Sequence, residues 1–458
     1  MILRLKNKIS YKNKYPFVFI YFCTMFKGKK AAFYTLGCKL NFSETSTIGR
    51  QLEKIGFIKT DFENTADLYV INTCSVTENA NRECRRIIRK AKKNSPTAFI
   101  VVTGCFAQLK PKEISDIKGV DMVLGANEKF NLPQLLTNLN TVEETKIHGC
   151  EIAELDYCTS YSLNDRTRSF LKIQDGCDYA CTYCTIPLAR GKSRCDSIEN
   201  IIKSADDIAA NDIKEIVITG VNIGEFKDKN KNFGNLIAEL EKVKGIERYR
   251  ISSIEPNLIT DEIINTVKHS NKFMPHFHIP MQSGSDLILG RMKRRYQTKL
   301  YRNKINTIAN NIDDVCIGAD VIVGFPGETD EEFNKTLNFI KDLPISYLHV
   351  FSYSERENTP AIDFEFVVSK QTRADRSKQL RILSNKLQRA FYQKYLNTEH
   401  NALFEQDNRD GMIYGFTDNY IKVKIPFKSD IIRTKKRIKL LEIDTDGMMK
   451  ARLLTTKN

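Results

Sequence analysis

Three cysteines stand in one short stretch, Asp175-Gly176-Cys177-Asp178-Tyr179-Ala180-Cys181-Thr182-Tyr183-Cys184, in a C-x₃-C-x₂-C spacing. A single loop with that spacing can wrap a cubane iron–sulfur cluster, giving three thiolates to three irons and leaving the fourth without a protein ligand. An iron left open in this way is a binding site. Zinc is the plainer alternative, but a structural zinc takes four protein ligands and would have to recruit Cys195 or a distant residue. A disulfide framework is weaker still, because three close cysteines cannot pair among themselves.

A second set of three cysteines precedes the first. Residues 31–36, 68–72 and 98–103 are short, continuous apolar runs, as in strands buried on both faces, and helical patterns over 43–55 and 78–93 separate them. That βαβ rhythm predicts a parallel, flavodoxin-like sheet. Each strand is followed at once by Cys38, Cys74 or Cys105, and the carboxyl ends of neighbouring parallel strands share one crevice. The pattern predicts a second three-thiolate cluster, with three buried structural cysteines as the bland alternative. Cys84 lies inside the next helix and reads as core. The same helix is densely basic, and its Arg85 and Arg89 are candidate phosphate contacts.

From residue 163 to about 365, six strand-like segments alternate with helical ones, which predicts a partial (β/α)₆ barrel with the cysteine loop after its first strand. Turns rich in glycine and polar residues follow the later strands and include Gly220, Asn222, Ser253, Gln282, Val323 and Gly324. His276 and His278 share one strand face. With no acid or thiol beside them in sequence, they read as a satisfied interior pair rather than a metal pair. Cys150, Cys158, Cys195 and Cys316 lack partner spacing. Arg190 and Arg194, close behind the cluster loop, are placed to steer a polyanion.

The chain carries a net charge of +15 over 458 residues with 41% hydrophobic composition, so it is globular and suited to nucleic acid. No long apolar run after the first 30 residues suggests a membrane span. Clustered cysteines fit a reducing, cytoplasmic compartment. The Lys-rich start, through Phe26, superficially resembles a signal peptide but lacks a cleavage pattern, and Met25 reads as the true start. The tail pairs a basic helix, striped by Leu380, Leu383, Leu387, Phe391 and Tyr395, with short alternating strands around a turn at 415–419. A small OB-like β-barrel with Lys422 and Lys424 as RNA contacts follows. The expected division is an extension at 1–28, an α/β domain at 29–145, the barrel at 163–392 and the RNA-binding barrel at 393–458.

The C-x₃-C-x₂-C loop, with Tyr183 before its last cysteine, resembles the signature of radical S-adenosylmethionine (SAM) enzymes. The segments 36–45 and 72–77 resemble the amino-terminal domain of the radical SAM methylthiotransferases, and the tail resembles a TRAM domain. Within that family, 35–41, 176–181, 219–224, 276–284 and 351–360 are most similar to the branch acting on N6-threonylcarbamoyladenosine in tRNA; Phe42 and Phe106 depart from its pattern. The resemblance implies two [4Fe-4S] clusters, on Cys177, Cys181 and Cys184 and on Cys38, Cys74 and Cys105. It implies two SAM per turnover, with Tyr183, Gly220, Asn222, Ser253, Gln282, Val323 and Gly324 near SAM. It further implies methylthiolation of C2 of the adenine beside the anticodon, in the anticodon stem-loop, by a monomer that needs a sulfur donor and an electron donor. Sister enzymes acting on isopentenyladenosine or on a ribosomal-protein aspartate, and a non-catalytic zinc-thiolate RNA-binding protein, are the competing readings.

Overall fold

The computed structural model describes residues 26–75, 78–149, 152 and 155–454; the Lys-rich start up to Met25, and Cys150, lie outside the described residues. The first unit is built on a six-stranded, wholly parallel sheet. Its order is Ile58–Thr60, Lys30–Thr35, Leu68–Thr73, Phe99–Gly104, Met122–Leu124, Lys146–His148. Strands Leu68–Thr73 and Phe99–Gly104 are buried throughout. Ile48 and Leu52 cover Val70 and Val101 on one face, while Ile87 and Ile88 cover Ile71 and Val102 on the other. Each such aliphatic side chain contributes about 1.5–3 kcal/mol on burial. The sheet ends just beyond the boundary expected at 145.

In the second unit Arg168–Lys172, Glu215–Thr219 and Arg248–Ile251 run parallel, as do His276–His278, Cys316–Val323 and Tyr347–Ser352. Bridges Tyr249–Phe273 and Ser253–His278 join the two sheets into an open six-stranded βα barrel. Alternate residues point outward, so Leu171, Ile216, Ile218 and Ile317 meet the surrounding helices in the main core. Many inward positions are polar, among them Arg168, Glu215, Arg250, His278 and Asp320, with Phe170 and Val217 between them.

Helix Lys370–Gln393 lies along the last barrel strand, where Ser384 Oγ accepts from the Leu348 N–H at 2.9 Å. Lys378, Arg381, Lys386 and Arg389 face outward, as expected of a basic helix. Arg373 and Arg376 do not, because Glu355, Glu328 and Asp330 draw them inward.

The tail is a closed barrel ordered Glu399–Arg409, Met412–Thr417, Lys422–Pro426, Met449–Leu453, Lys435–Ile443. Gly415, Phe416 and Thr417, expected in a turn, belong to the second strand. The turn that follows enters the amino-terminal end of the βα barrel. Tyr420 stacks on His276 with ring centroids 4.1 Å apart. Arg248 donates to the carbonyls of Phe416 and Asn401, and Arg250 to those of Thr417 and Asp418. The small barrel thus plugs the larger one. Among the described residues no helix is long and apolar enough to cross a membrane.

Candidate functional site: two thiol triads on one barrel

The cysteine loop is held by a residue that sequence reasoning missed. Gln174 is fully buried; its Oε1 accepts the N–H groups of Val221 and Asn222, both at 2.9 Å, and its Nε2 donates to the Gly176 carbonyl at 2.7 Å. One amide therefore ties the turn after the second strand to the loop. Gly176 has φ +71°, and a Cβ there would run into the Lys192 carbonyl, so the bend requires glycine. Beyond it, N–H groups converge on sulfur. Tyr179 N donates to Cys177 Sγ at 3.4 Å, the Ile186 N–H to Cys184, and Arg294 Nη1 to Cys181 Sγ at 3.1 Å, while the other arm of Arg294 pairs with Glu255. Burial pushes the thiols of Cys177 and Cys184 up to about 12 and raises that of Cys181. Buried thiols ringed by N–H donors suit sulfur that carries negative charge when a metal cluster coordinates it. Cys195 is no fourth ligand: it pairs with Gln174 across a short two-stranded ladder, against Lys227 and Glu225.

In the first unit Cys38 precedes helix Lys39–Lys54, Cys74 follows strand Leu68–Thr73, and Cys105 opens helix Cys105–Leu109. The strands before them pair side by side, which brings the three ends together. Burial pushes the Cys38 thiol up, Arg190 opposes that, and Cys105 lies near enough to raise it further. Gly37, at φ +97°, keeps its backbone bare beside Cys74: a Cβ would sit 2.9 Å from Cys74 Sγ. The cradle a side chain would fill is the space a cluster needs, so the residues fit that group.

A buried ion network locks the two units. Glu44 accepts from Arg190 at 3.0 Å and meets Lys129 at 2.8 Å and Lys172 at 3.5 Å; Asp175 takes Arg190 at 2.9 Å, Lys172 at 3.4 Å and Arg194 at 3.3 Å. Arg190 Nη2 also donates to Asn41 Oδ1 at 2.6 Å. Burial alone would raise the Glu44 carboxyl, but Arg190, Lys129 and Lys172 hold it down to about 2. The same cations keep Asp175 well below the usual range against its burial. Arg190 and Arg194, expected to meet a polyanion, are interior ties instead, because these acids consume their charge.

Two cavities open on the barrel. One, of about 320 Å³, runs from Cys38 and Lys39 past Phe42 and Phe170 to Arg250, His276 and Tyr420. Desolvation within the cavity, with Arg168 and Arg250 nearby, lowers the ammonium of Lys39, an exposed residue, to about 8. The other, of about 200 Å³, lies between Tyr183, Cys184, Gln282, Asp320, Phe351 and Tyr353. Of the expected SAM contacts, Tyr183 and Gln282 line this second cavity. Gln282 sits at φ +62°, held by its N–H to Asp320 O at 2.8 Å and its carbonyl to Ile322 N at 2.9 Å, and its Oε1 is buried without a partner among the described residues. Asn222 is 3% exposed with both amide atoms unpartnered in the same sense. Buried polar atoms of this kind need a partner, and a ligand supplies one. Gly220 packs on Ile223 and Gln174, and Ser253 bridges to His278. Val323 and Gly324 do not face the cavity: Val323 lies in the hydrophobic core, and Arg373 covers Gly324.

The surface candidates also divide. Arg89 is exposed, Arg85 pairs with Glu113 and lies 5.7 Å from the Phe106 ring centroid, and Lys422 lies 5.6 Å from that of Tyr414. Lys424 is buried between Asp444 and Asp446, at 2.7 and 2.5 Å, so it is not presented to RNA. His278, read as lacking acidic neighbours, meets Asp320 at 2.8 Å, and His349 approaches the same carboxylate at 3.4 Å. Both partners come from later strands, at inward positions that alternation alone would have marked.

Known proteins resemble both units. Residues 30–125 match the uncharacterized protein family UPF0004, and residues 171–340 the radical SAM superfamily. The chain is 39% identical over 428 residues to the threonylcarbamoyladenosine tRNA methylthiotransferase MtaB of Bacillus subtilis, covering 90% of this chain and 93% of that one. It is 32% identical to the tRNA-2-methylthio-N(6)-dimethylallyladenosine synthase of Natranaerobius thermophilus, covering 88% and 92%. A solved structure of the radical SAM methyltransferase TsrM from Kitasatospora setae superposes with a TM-score of 0.56 at 13% identity, over 73% of this chain and 77% of that one, a likeness of fold. With cysteines of both triads at cavities of one barrel, and relatives matched along nearly their whole length, the chain belongs to the radical SAM tRNA methylthiotransferases.

Proposed function

We propose that the protein adds a methylthio group to C2 of N6-threonylcarbamoyladenosine in tRNA, at the adenosine beside the anticodon. One observation carries the mechanism: Cys38, from the first unit, and Cys184, from the barrel loop, each line a cavity of the same βα barrel. The relatives named for threonylcarbamoyladenosine favour that substrate over dimethylallyladenosine, at 39% against 32% identity.

Members of this family use SAM and [4Fe-4S] clusters. When bound, these supply the radical that removes hydrogen from an unactivated carbon and the sulfur chemistry that replaces it. Cys177, Cys181 and Cys184 would hold one cluster, and Cys38, Cys74 and Cys105 the other. The chain contributes position and charge. Arg294 and the backbone N–H groups of Tyr179 and Ile186 bind and orient the loop sulfurs. Asn222 and Gln282 offer unpartnered amide atoms to a polar ligand, and Tyr183 supplies an aromatic wall beside Cys184. The Tyr420 plug packs against the far end of the barrel, stacked on His276. The exposed Arg89 and the half-buried Lys422 support binding of an anticodon stem-loop. A monomer, a separate sulfur donor and a separate electron donor complete the reading.

Mass spectrometry of tRNA nucleosides from a deletion strain tests it. The 2-methylthio derivative of N6-threonylcarbamoyladenosine should disappear. Disappearance of the dimethylallyl or isopentenyl derivative in its place would transfer the protein to the sister activity.

A further inference from the structure

The cavity that reaches Cys38 carries more positive charge than its surroundings neutralise. At its floor, Arg168, Arg248 and Arg250 face three carboxylates, Glu215, Glu405 and Asp418, and that layer balances. Lys39 and Arg166 line the same cavity, and neither makes an ion pair among the described residues. No aspartate or glutamate lines it. The Arg166 guanidinium lies 4.5 Å from the Phe42 ring centroid, and Phe42 meets Phe170 edge-on at 5.6 Å, so Arg166 sits over an aromatic wall. Both side chains are exposed at the cavity, where an anionic group can reach them.

Resting on the functional reading above, we propose that Lys39 and Arg166 bind the carboxylate of the substrate base's N6 side chain. The threonylcarbamoyl group ends in a carboxylate, and the cavity joins a cationic end to apolar walls beside a cluster ligand. A dimethylallyl side chain has no charge to offer either cation, so the pair selects by holding the acid and gains nothing from the neutral group.

The test measures binding of anticodon stem-loop RNAs to reconstituted holoenzyme. The adenosine carries the threonylcarbamoyl group, its methyl ester, or no modification. The wild type should bind the acid roughly ten-fold or more tightly than the ester, the scale of a charge-assisted hydrogen bond. Lys39→Met and Arg166→Gln should each shrink that ratio while leaving the ester and the unmodified RNA unaffected, and Lys39→Arg should restore it. A ratio unchanged in both variants overturns the proposal. Equal weakening of all three RNAs also overturns it, since the cations would then hold backbone phosphate. Lys39 adjoins Cys38, so iron is counted in each variant; if Lys39→Met loses iron, Arg166→Gln decides, and an unchanged ratio there overturns the proposal. Failure of the wild type to convert threonylcarbamoyl RNA at all would remove the functional reading itself, whereas normal conversion with an ester-insensitive affinity removes only this inference.

Discussion

Single residues separate the two triads' tasks. Cys181→Ala should abolish reductive cleavage of SAM, whereas Cys74→Ala should leave cleavage and stop formation of the methylthio product. Cleavage assays and product mass spectrometry check both, and normal product from Cys74→Ala would break the division of labour. Iron analysis belongs with them: the reconstituted wild type should hold about eight irons and each variant about half. The six cysteines were legible because thiols at strand ends and in one tight loop are rare arrangements. Gln174, Glu44 and Arg294 were not, because each acts on partners far away in sequence: Glu44 finds Arg190, and Arg294 finds Cys181 and Glu255. Arg190 and Lys424 misled for the same reason, since a cation's exposure depends on acids the spacing does not reveal.

Among elements, the six barrel strands were legible as short strand-like segments spaced by helical ones. Ile58–Thr60 and Lys146–His148 were not; both are short and largely exposed, so they lack the pattern of a doubly covered strand. The plug turn was read as starting three residues too early, because Gly415 looks like a turn residue, whereas it lets the second strand pass close to the Leu403 carbonyl. Glu215, fully buried under Arg250 at 2.9 Å, fastens this plug from below. Glu215→Gln leaves Arg250 and Arg248 without their shared counter-charge and should cost about 3–5 kcal/mol, the scale for breaking a buried pair from one side. Urea unfolding gives the measurement. Tyr420→Ala, which removes a stacked ring without stranding a charge, should cost less.

For the molecule as a whole, acid is the weak point. Glu44 is held to about 2 against an ordinary value of 4.5, and Asp175 is also depressed. A depressed carboxyl stabilises the fold above its unfolded value, and that contribution is lost as pH falls toward the folded one. Stability should therefore be flat above about pH 5 and fall steeply between 4.5 and 2, and Glu44→Gln should be less stable at neutral pH with a shallower acid slope. Thermal melts across that range check the sign. Both carboxylates sit between the first unit and the barrel, so the loss should appear as one transition for the two units.

The same network sets an order of manufacture. Glu44 leaves the ribosome with Lys129 as its partner within the first unit, while Lys172 and Arg190 emerge later, with the barrel's opening strand and cysteine loop. Until then the face that carries Cys38 bears a half-compensated acid and cannot dock. The two units therefore gain the shared counter-charges of this seam only once the segment that carries the other thiol triad has been made.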